Sequence, residues 1–307
     1  MSLIFTSSNF ITSIQEEATV KQHVFTYSPT IQRLKIENAN KIVIHLWGGG
    51  GGGGGSHSVS TSEISSGAGG GGAFTILDFP YYPTRKEIFV EATVGKGGNG
   101  GYYTSGNYIG AENGGDTIVY FKDSKGRVLK EFISYGAKGG EGNGLFTNLD
   151  GEVKKGGDGG RNTKQIDYIL MGALYESGAS ISYPKGGRTE QYYGDHCQMS
   201  YLSVSGSGGG ANFPNKDIND GGSFILQKGG MGGAKGTYVA GGGGSTYYGK
   251  GGNGGRVGNP IGGNGEANSG AGGGGSMSIY NANNIANSRY LRGGNGAHGM
   301  VILEVYT

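Results

Sequence analysis

Cysteine is almost missing from this 307-residue chain: Cys197 is the one instance, so neither an intrachain disulfide framework nor a multi-cysteine metal site can form. Proline is scarce at 6, and the glycines keep no three-residue period, which excludes a collagen-type triple helix. Charge of a single sign is lacking too. The balance of 25 basic to 23 acidic residues gives no electrostatic reason to expect nucleic acid or an anionic membrane as partner. No apolar run approaches the roughly 18–20 residues of a membrane-spanning helix, and no segment carries helical periodicity. Apolar residues amount to 34%, so conventional core is limited and concentrated where strands form. The start, Met1 to Ile11, has no basic n-region and does not read as a secretory signal. The expectation is a protein made in a cytoplasm that reaches any outer surface without the ordinary export route.

What the chain has instead is glycine, 71 residues of it. Glycine loses more backbone freedom on folding than any other residue, by roughly 0.5–1 kcal/mol relative to alanine. Summed over the chain, that exceeds a typical net stability of about 5–15 kcal/mol. Such a sequence is either disordered or has its glycines where only glycine fits. Their placement favours the second reading, because the longest block, Gly48 to Gly55, runs straight out of the strand-like Lys41-Ile-Val-Ile-His-Leu-Trp47.

The segments between glycine blocks read as strands. They cover 20–28, 31–39, 41–47, 73–79, 87–94, 116–122, 127–134 and 300–306, with a hairpin turn at Asp123-Ser-Lys-Gly126. In 41–47, Ile42, Ile44 and Leu46 share one face, with Val43, His45 and Trp47 on the other. Ile88, Val90, Ala92 and Val94 alternate cleanly, as do Val301, Leu303 and Val305. From Gly136 to Gly299 the texture changes, and motifs such as Gly156-Gly-Asp-Gly-Gly160, Gly229-Gly-Met-Gly-Gly233 and Gly251-Gly-Asn-Gly-Gly255 recur. The glycine-poor stretch 161–204 reads as an insertion. The domain organisation expected is a leader or anchor at 1–19, a β-region at 20–135 plus 299–307, and a glycine-rich region at 136–298.

Three features carry a resemblance. A strand ends in Leu46-Trp-Gly-Gly-Gly, a later one ends in Val94-Gly-Lys-Gly-Gly-Asn-Gly100, and the chain closes with Gly296 to Tyr306. In that order they resemble the glycine-rich domains of phage tail-fibre tips and adhesins, and related virion proteins of large DNA viruses and their satellites. The resemblance implies an all-β fold: a β-sandwich, jelly-roll-like, combined with a bundle of polyglycine-II helices and essentially no α-helix. It implies a non-enzymatic virion protein whose partners are a host cell-surface receptor or glycan and other virion proteins, without nucleic acid or membrane insertion. It also allows a homo-oligomer.

Read for chemistry, the residues offer little. Gly244-Ser-Thr-Tyr-Tyr-Gly249-Lys250 has phosphate-loop spacing, but Gly251 stands where a magnesium-binding Ser or Thr is needed. His196 and Cys197 are adjacent, so in an extended segment they point to opposite faces and cannot act as a pair. His23, His45, His57 and His298 are scattered without metal-ligand spacing. No cofactor and no catalytic residue is expected. The 20 tyrosines are more informative. Several come in pairs among Gly, Ser and Asn, the composition of paratopes, where rigid amphipathic rings give contact area at low entropic cost. The candidates for a recognition surface are Tyr102, Tyr103, Tyr192, Tyr193, Tyr247 and Tyr248. The plain alternative gives the rings a packing role at the edges of the glycine region, within a purely structural virion protein.

Overall fold

Among the described residues, strands form where glycine is sparse and apolar residues alternate with polar ones. The computed structural model describes residues 19–56, 64–73, 75–104, 107–142, 144–146, 202–203, 240–256, 259–279 and 291–307. Leader residues 1–18, residues 161–201 of the insertion with Tyr192, Tyr193 and Cys197, and His57 lie outside the described residues. Those described are all-β, with no helix among them. The strands are β1 (Val20–Thr26), β2 (Gln32–Glu37), β3 (Lys41–Trp47), β4 (Ile64–Ser66), β5 (Thr75–Tyr81), β6 (Glu87–Thr93) and β7 (Tyr102–Thr104). They continue as β8 (Asn107–Ile109), β9 (Thr117–Lys122), β10 (Val128–Ser134), β11 (Gly144–Phe146), β12 (Leu202–Ser203), β13 (Met277–Ile279) and β14 (Met300–Tyr306).

Two larger antiparallel sheets, ordered β1-β14-β3-β5-β12 and β10-β9-β6-β2, share one apolar core. Ile42, Ile44, Leu46, Leu303 and Val305 come from the first; Ile36, Ile88, Val90, Phe121 and Phe132 come from the second. Rings interlock between them, with Phe79 edge-on to Phe132 at 5.4 Å and Tyr81 edge-on to Phe121 at 4.9 Å, geometries that suit the aromatic quadrupole. The expected alternation holds in β6 and β14. In β3 it fails on one side: Val43 and Trp47 are buried as well as Ile42, Ile44 and Leu46, because this central strand is covered on both faces.

Strands run directly into glycine. β3 continues as 48–55, β6 as 95–101 and β10 as 135–142, while 67–72, 111–115 and 293–297 lead back into β5, β9 and β14. Backbone bonding in 48–55 repeats every three residues. Gly49 and Gly52 donate to Gly115 and Glu112, Gly50 and Gly53 to Ala297 and Gly294, and Gly51 and Gly54 to Gly71 and Ala68. The carbonyls do the same toward three other segments: Gly49 and Gly52 accept from Ala137 and Gly140, Gly50 and Gly53 from Gly98 and Gly101, and Gly51 and Gly54 from Gly273 and Ser276. One glycine segment thus has six hydrogen-bonded neighbours. Segment 270–276 is surrounded likewise, by 48–55, 67–72, 240–244, 250–255, 261–265 and 293–297. These relations stack ten segments in layers of three, four and three: 95–101, 293–297 and 261–265; then 111–115, 48–55, 270–276 and 250–255; then 135–142, 67–72 and 240–244. Segments from either side of residue 136 bond to each other throughout.

There is no room here for side chains. A Cβ on Gly51 would lie 1.9 Å from the Lys138 carbonyl oxygen, and one on Gly53 would lie 2.1 Å from that of Gly274. At the margin, side-chain oxygens replace missing neighbours: Asn295 Oδ1 accepts from Gly100 N at 2.9 Å, Asn113 Oδ1 from Gly139 N at 3.0 Å, and Asp116 Oδ1 from Gly136 N at 2.9 Å. Buried amides and carbonyls therefore find partners without sheet or helix. The layers give the molecule two poles. Thr19 and Thr307 bond to each other at the outer end of the two-sheet body. The β7–β8 hairpin, β4, β11 and β13 lie at the free end of the glycine segments.

Candidate functional site

Segment 95–101 delivers the chain to the free end and 111–115 returns it, so the chain must reverse there. Residues 102–104 and 107–109 form the β7–β8 hairpin, pairing Tyr102 with Ile109 and Tyr103 with Tyr108. Tyr108 fastens it to the glycine layers. Its buried hydroxyl occupies the space beside Gly101 and Gly142, where a Cβ would come within 2.7 and 1.7 Å of that oxygen. Burial pushes the Tyr108 hydroxyl pKa above its ordinary value. Any larger residue at position 101 or 142 would dislodge the ring.

The hairpin walls a cleft of about 440 Å³ with Asn99, Glu112 and Arg292. Tyr102 and Ile109 stand 36% and 42% exposed at its edge. Arg292 Cζ lies 5.7 Å from the Tyr102 ring centroid, within cation–π range. Arg292 Nη2 donates to Asn295 Oδ1 at 3.1 Å, which ties the guanidinium to the glycine layers. Glu112 Oε2 accepts from Asn99 N at 3.2 Å and Asn99 Nδ2 at 2.7 Å, and Lys96 Nζ approaches it at 3.8 Å. The cleft thus joins an aromatic platform, an apolar flank, a guanidinium and an amide–carboxylate pair on a rigid base. It can hold a small polar ligand and orient it. Among the described residues, no group of three or more His, Cys, Asp or Glu is placed to hold a metal.

A model of the glycine-rich domain family matches residues 29–306. The chain belongs to the glycine-rich domain family. No curated protein matches the sequence.

In this glycine-rich domain the tyrosine candidates separate. Tyr102 and Tyr103 meet at the cleft. Tyr247 and Tyr248 lie at the opposite end of the glycine segments, in the turn between 240–244 and 250–255. There Tyr248 stacks on Trp47 with centroids 3.9 Å apart and 19° between planes, and its hydroxyl lies 3.3 Å from His45 Nδ1. Trp47 Nε1 donates to the Asn268 carbonyl at 2.8 Å, completing the cover over β3. Burial, reinforced by Asp78, Tyr247 and Glu304, pushes the Tyr248 hydroxyl pKa well above the ordinary tyrosine range. Tyr192 and Tyr193 lie outside the described residues. Sequence reading missed Arg292, Asn99 and Glu112. A signal for the first two was present: Lys96, Asn99 and Tyr102 recur every third residue, as do Arg292, Asn295 and His298, and these are the outward positions of their segments.

Proposed function

We propose that this glycine-rich domain is a non-enzymatic recognition module of a virion surface or fibre tip. In this reading a bundle of polyglycine-II helices beneath a β-sandwich displays the β7–β8 hairpin and neighbouring loops to a host receptor or glycan. The helix type is supported by the three-residue repeat of donors and acceptors around 48–55 and 270–276. A left-handed threefold helix has no internal hydrogen bonds and turns successive N–H and C=O groups toward different neighbours. At about 3.1 Å per residue, eight glycines span roughly 25 Å. The observation that carries the functional reading is the placement of the cleft. Exposed Tyr102 and Ile109, with Arg292, sit at the free end of a backbone-bonded base, while Thr19 and Thr307 sit at the other pole. Binding groups on a rigid support lose little entropy on association.

The test is binding of the purified chain to host-cell surfaces and a glycan array, alongside Tyr102→Ala and a Tyr192→Ala/Tyr193→Ala variant. Loss of a buried aromatic contact of about 1.4 kcal/mol or more corresponds to at least a tenfold fall in affinity. That result for Tyr102→Ala supports recognition at this cleft. Absence of binding by the unaltered chain refutes it. The reading would then pass to a purely structural virion component, which the packing of Tyr248 onto Trp47, with Tyr247 edge-on to Tyr248, favours.

A further inference from the structure

We propose that the cleft at the free end selects an acidic saccharide, with Arg292 receiving the sugar carboxylate and Tyr102 supporting the ring; this rests on the recognition reading given above. Arg292 is the starting point. Its guanidinium offers five N–H donors in a planar fork, and one nitrogen is engaged by Asn295 Oδ1. No carboxylate among the described residues pairs with it. Asn295 is itself immobilised, accepting from Gly100 N at 2.9 Å while its own N–H donates to Asn264 Oδ1 at 2.8 Å. A fixed guanidinium with open donors matches a carboxylate through two parallel hydrogen bonds.

Glu112 would oppose an anion, yet its charge is met within the cleft: Oε2 takes both Asn99 donors and Lys96 Nζ stands 3.8 Å away. Lys96 and Arg292 against Glu112 leave the site with one net positive charge. Glu112 Oε1 accepts from no described residue, and suits a ligand hydroxyl. Tyr102 and Ile109, paired across the hairpin and both exposed, offer an aromatic face and an apolar flank to the C–H side of a sugar ring. An acidic peptide would engage Arg292 but leave the Asn99–Glu112 pair without hydroxyl partners. The volume of about 440 Å³ lies in the range of small-ligand pockets.

The experiment is titration calorimetry on the full chain with a uronic-acid tetrasaccharide, the same sugar as its methyl ester, and an oligoglutamate peptide. The acid is expected to bind at least about tenfold more tightly than the ester, with a preference that shrinks as added salt shortens the Debye length. Arg292→Gln should bring acid and ester to equal affinity, and Arg292→Lys should restore the preference only in part, because an ammonium lacks the fork. Tyr102→Ala should weaken acid and ester alike. Arg292 is exposed, so these variants keep the fold, which a thermal unfolding curve checks. Equal binding of acid and ester by the unaltered chain, or an undiminished acid preference in Arg292→Gln, overturns the assignment of Arg292 while leaving glycan recognition standing. Binding of oligoglutamate alone overturns the ligand class. No binding to any of these, nor to host cells or the glycan array, removes the recognition reading and this assignment together.

Discussion

A single methyl group at the centre of the glycine layers should be enough to destabilise the fold. Take Gly52→Ala. The new Cβ would sit 2.1 Å from the Asn99 carbonyl oxygen, 2.5 Å from its carbon and 2.9 Å from Gly100 N, all of them backbone atoms. Segment 95–101 cannot yield cheaply, because Gly98 and Gly101 donate to Gly50 and Gly53 at 2.8 Å each, and Asn99 accepts from Glu112 at 2.9 Å. Overpacking alone costs about 1–3 kcal/mol. Stretching two such hydrogen bonds adds about 1 kcal/mol each, while the stiffer unfolded chain returns about 0.4–1 kcal/mol. The net is a loss of roughly 3 kcal/mol, or a fall in Tm of roughly 5 °C for a chain of this size. Gly110→Ala is the matched control: the nearest atom to its Cβ is Tyr108 Cε1 at 4.0 Å, and its φ lies outside the left-handed region. It should be neutral or slightly stabilising. Thermal unfolding followed by circular dichroism decides. If the two variants melt within about a degree of each other, dense backbone packing around 48–55 is not what holds this region together.

Other outcomes follow from the cover over β3 and from the margin of the layers. Tyr248→Ala should cost about 2–3 kcal/mol through the lost stack on Trp47, and the emission of Trp47, the chain's one tryptophan, should shift to the red. Tyr248→Phe should leave that emission unchanged. With its pKa raised by burial, the Tyr248 hydroxyl stays protonated when exposed tyrosines ionise near pH 10. Its contribution to stability is present below that pH and lost as pH rises toward its own higher value, measurable by phenolate absorbance. His298 works in the opposite direction. Its Nδ1 accepts from Gly97 N at 2.8 Å and its ring stacks on Tyr27, and burial, then Lys96, lowers its pKa. The stability it confers is present above about pH 6.5 and lost as acid takes the pH down through the depressed value. Denaturant unfolding of His298→Gln should show a flatter slope below pH 6.5 than the unaltered chain. His23, also lowered, titrates in both and cancels from the comparison.

Strands were the legible part of this sequence. The expected segments 41–47 and 300–306 coincide with β3 and β14, and the remaining long strands differ by a residue or two at their ends. Period-two alternation survives there because each strand rests on one shared core. What the pattern did not disclose is the second cover of β3. Trp47 is buried by Tyr248 and Asn268, some two hundred residues further on, and local alternation cannot announce a partner at that distance. The β7–β8 hairpin is too short for any period, and Tyr108 wedged beside Gly101 and Gly142 fixes it. At the candidate site, Tyr102 and Tyr103 were visible as an aromatic pair among glycines. Arg292 was not, because it reaches the cleft only through the bonding of Gly293 and Gly296 to Gly101 and Gly98.

The three-residue repeat around 48–55 works as a reading frame for shape. On the polyglycine-II reading proposed above, with three residues per turn, adding one residue would rotate every later N–H and carbonyl by about 120°, away from its own neighbour and toward another. Adding three would restore the phase and lengthen that segment by about 9 Å, but its six neighbours would have to grow with it. On that reading, length in this part of the molecule is counted in triplets and shared among segments. Beyond their ends no such count applies. There the chain can gain, lose or exchange residues while every glycine below stays in phase.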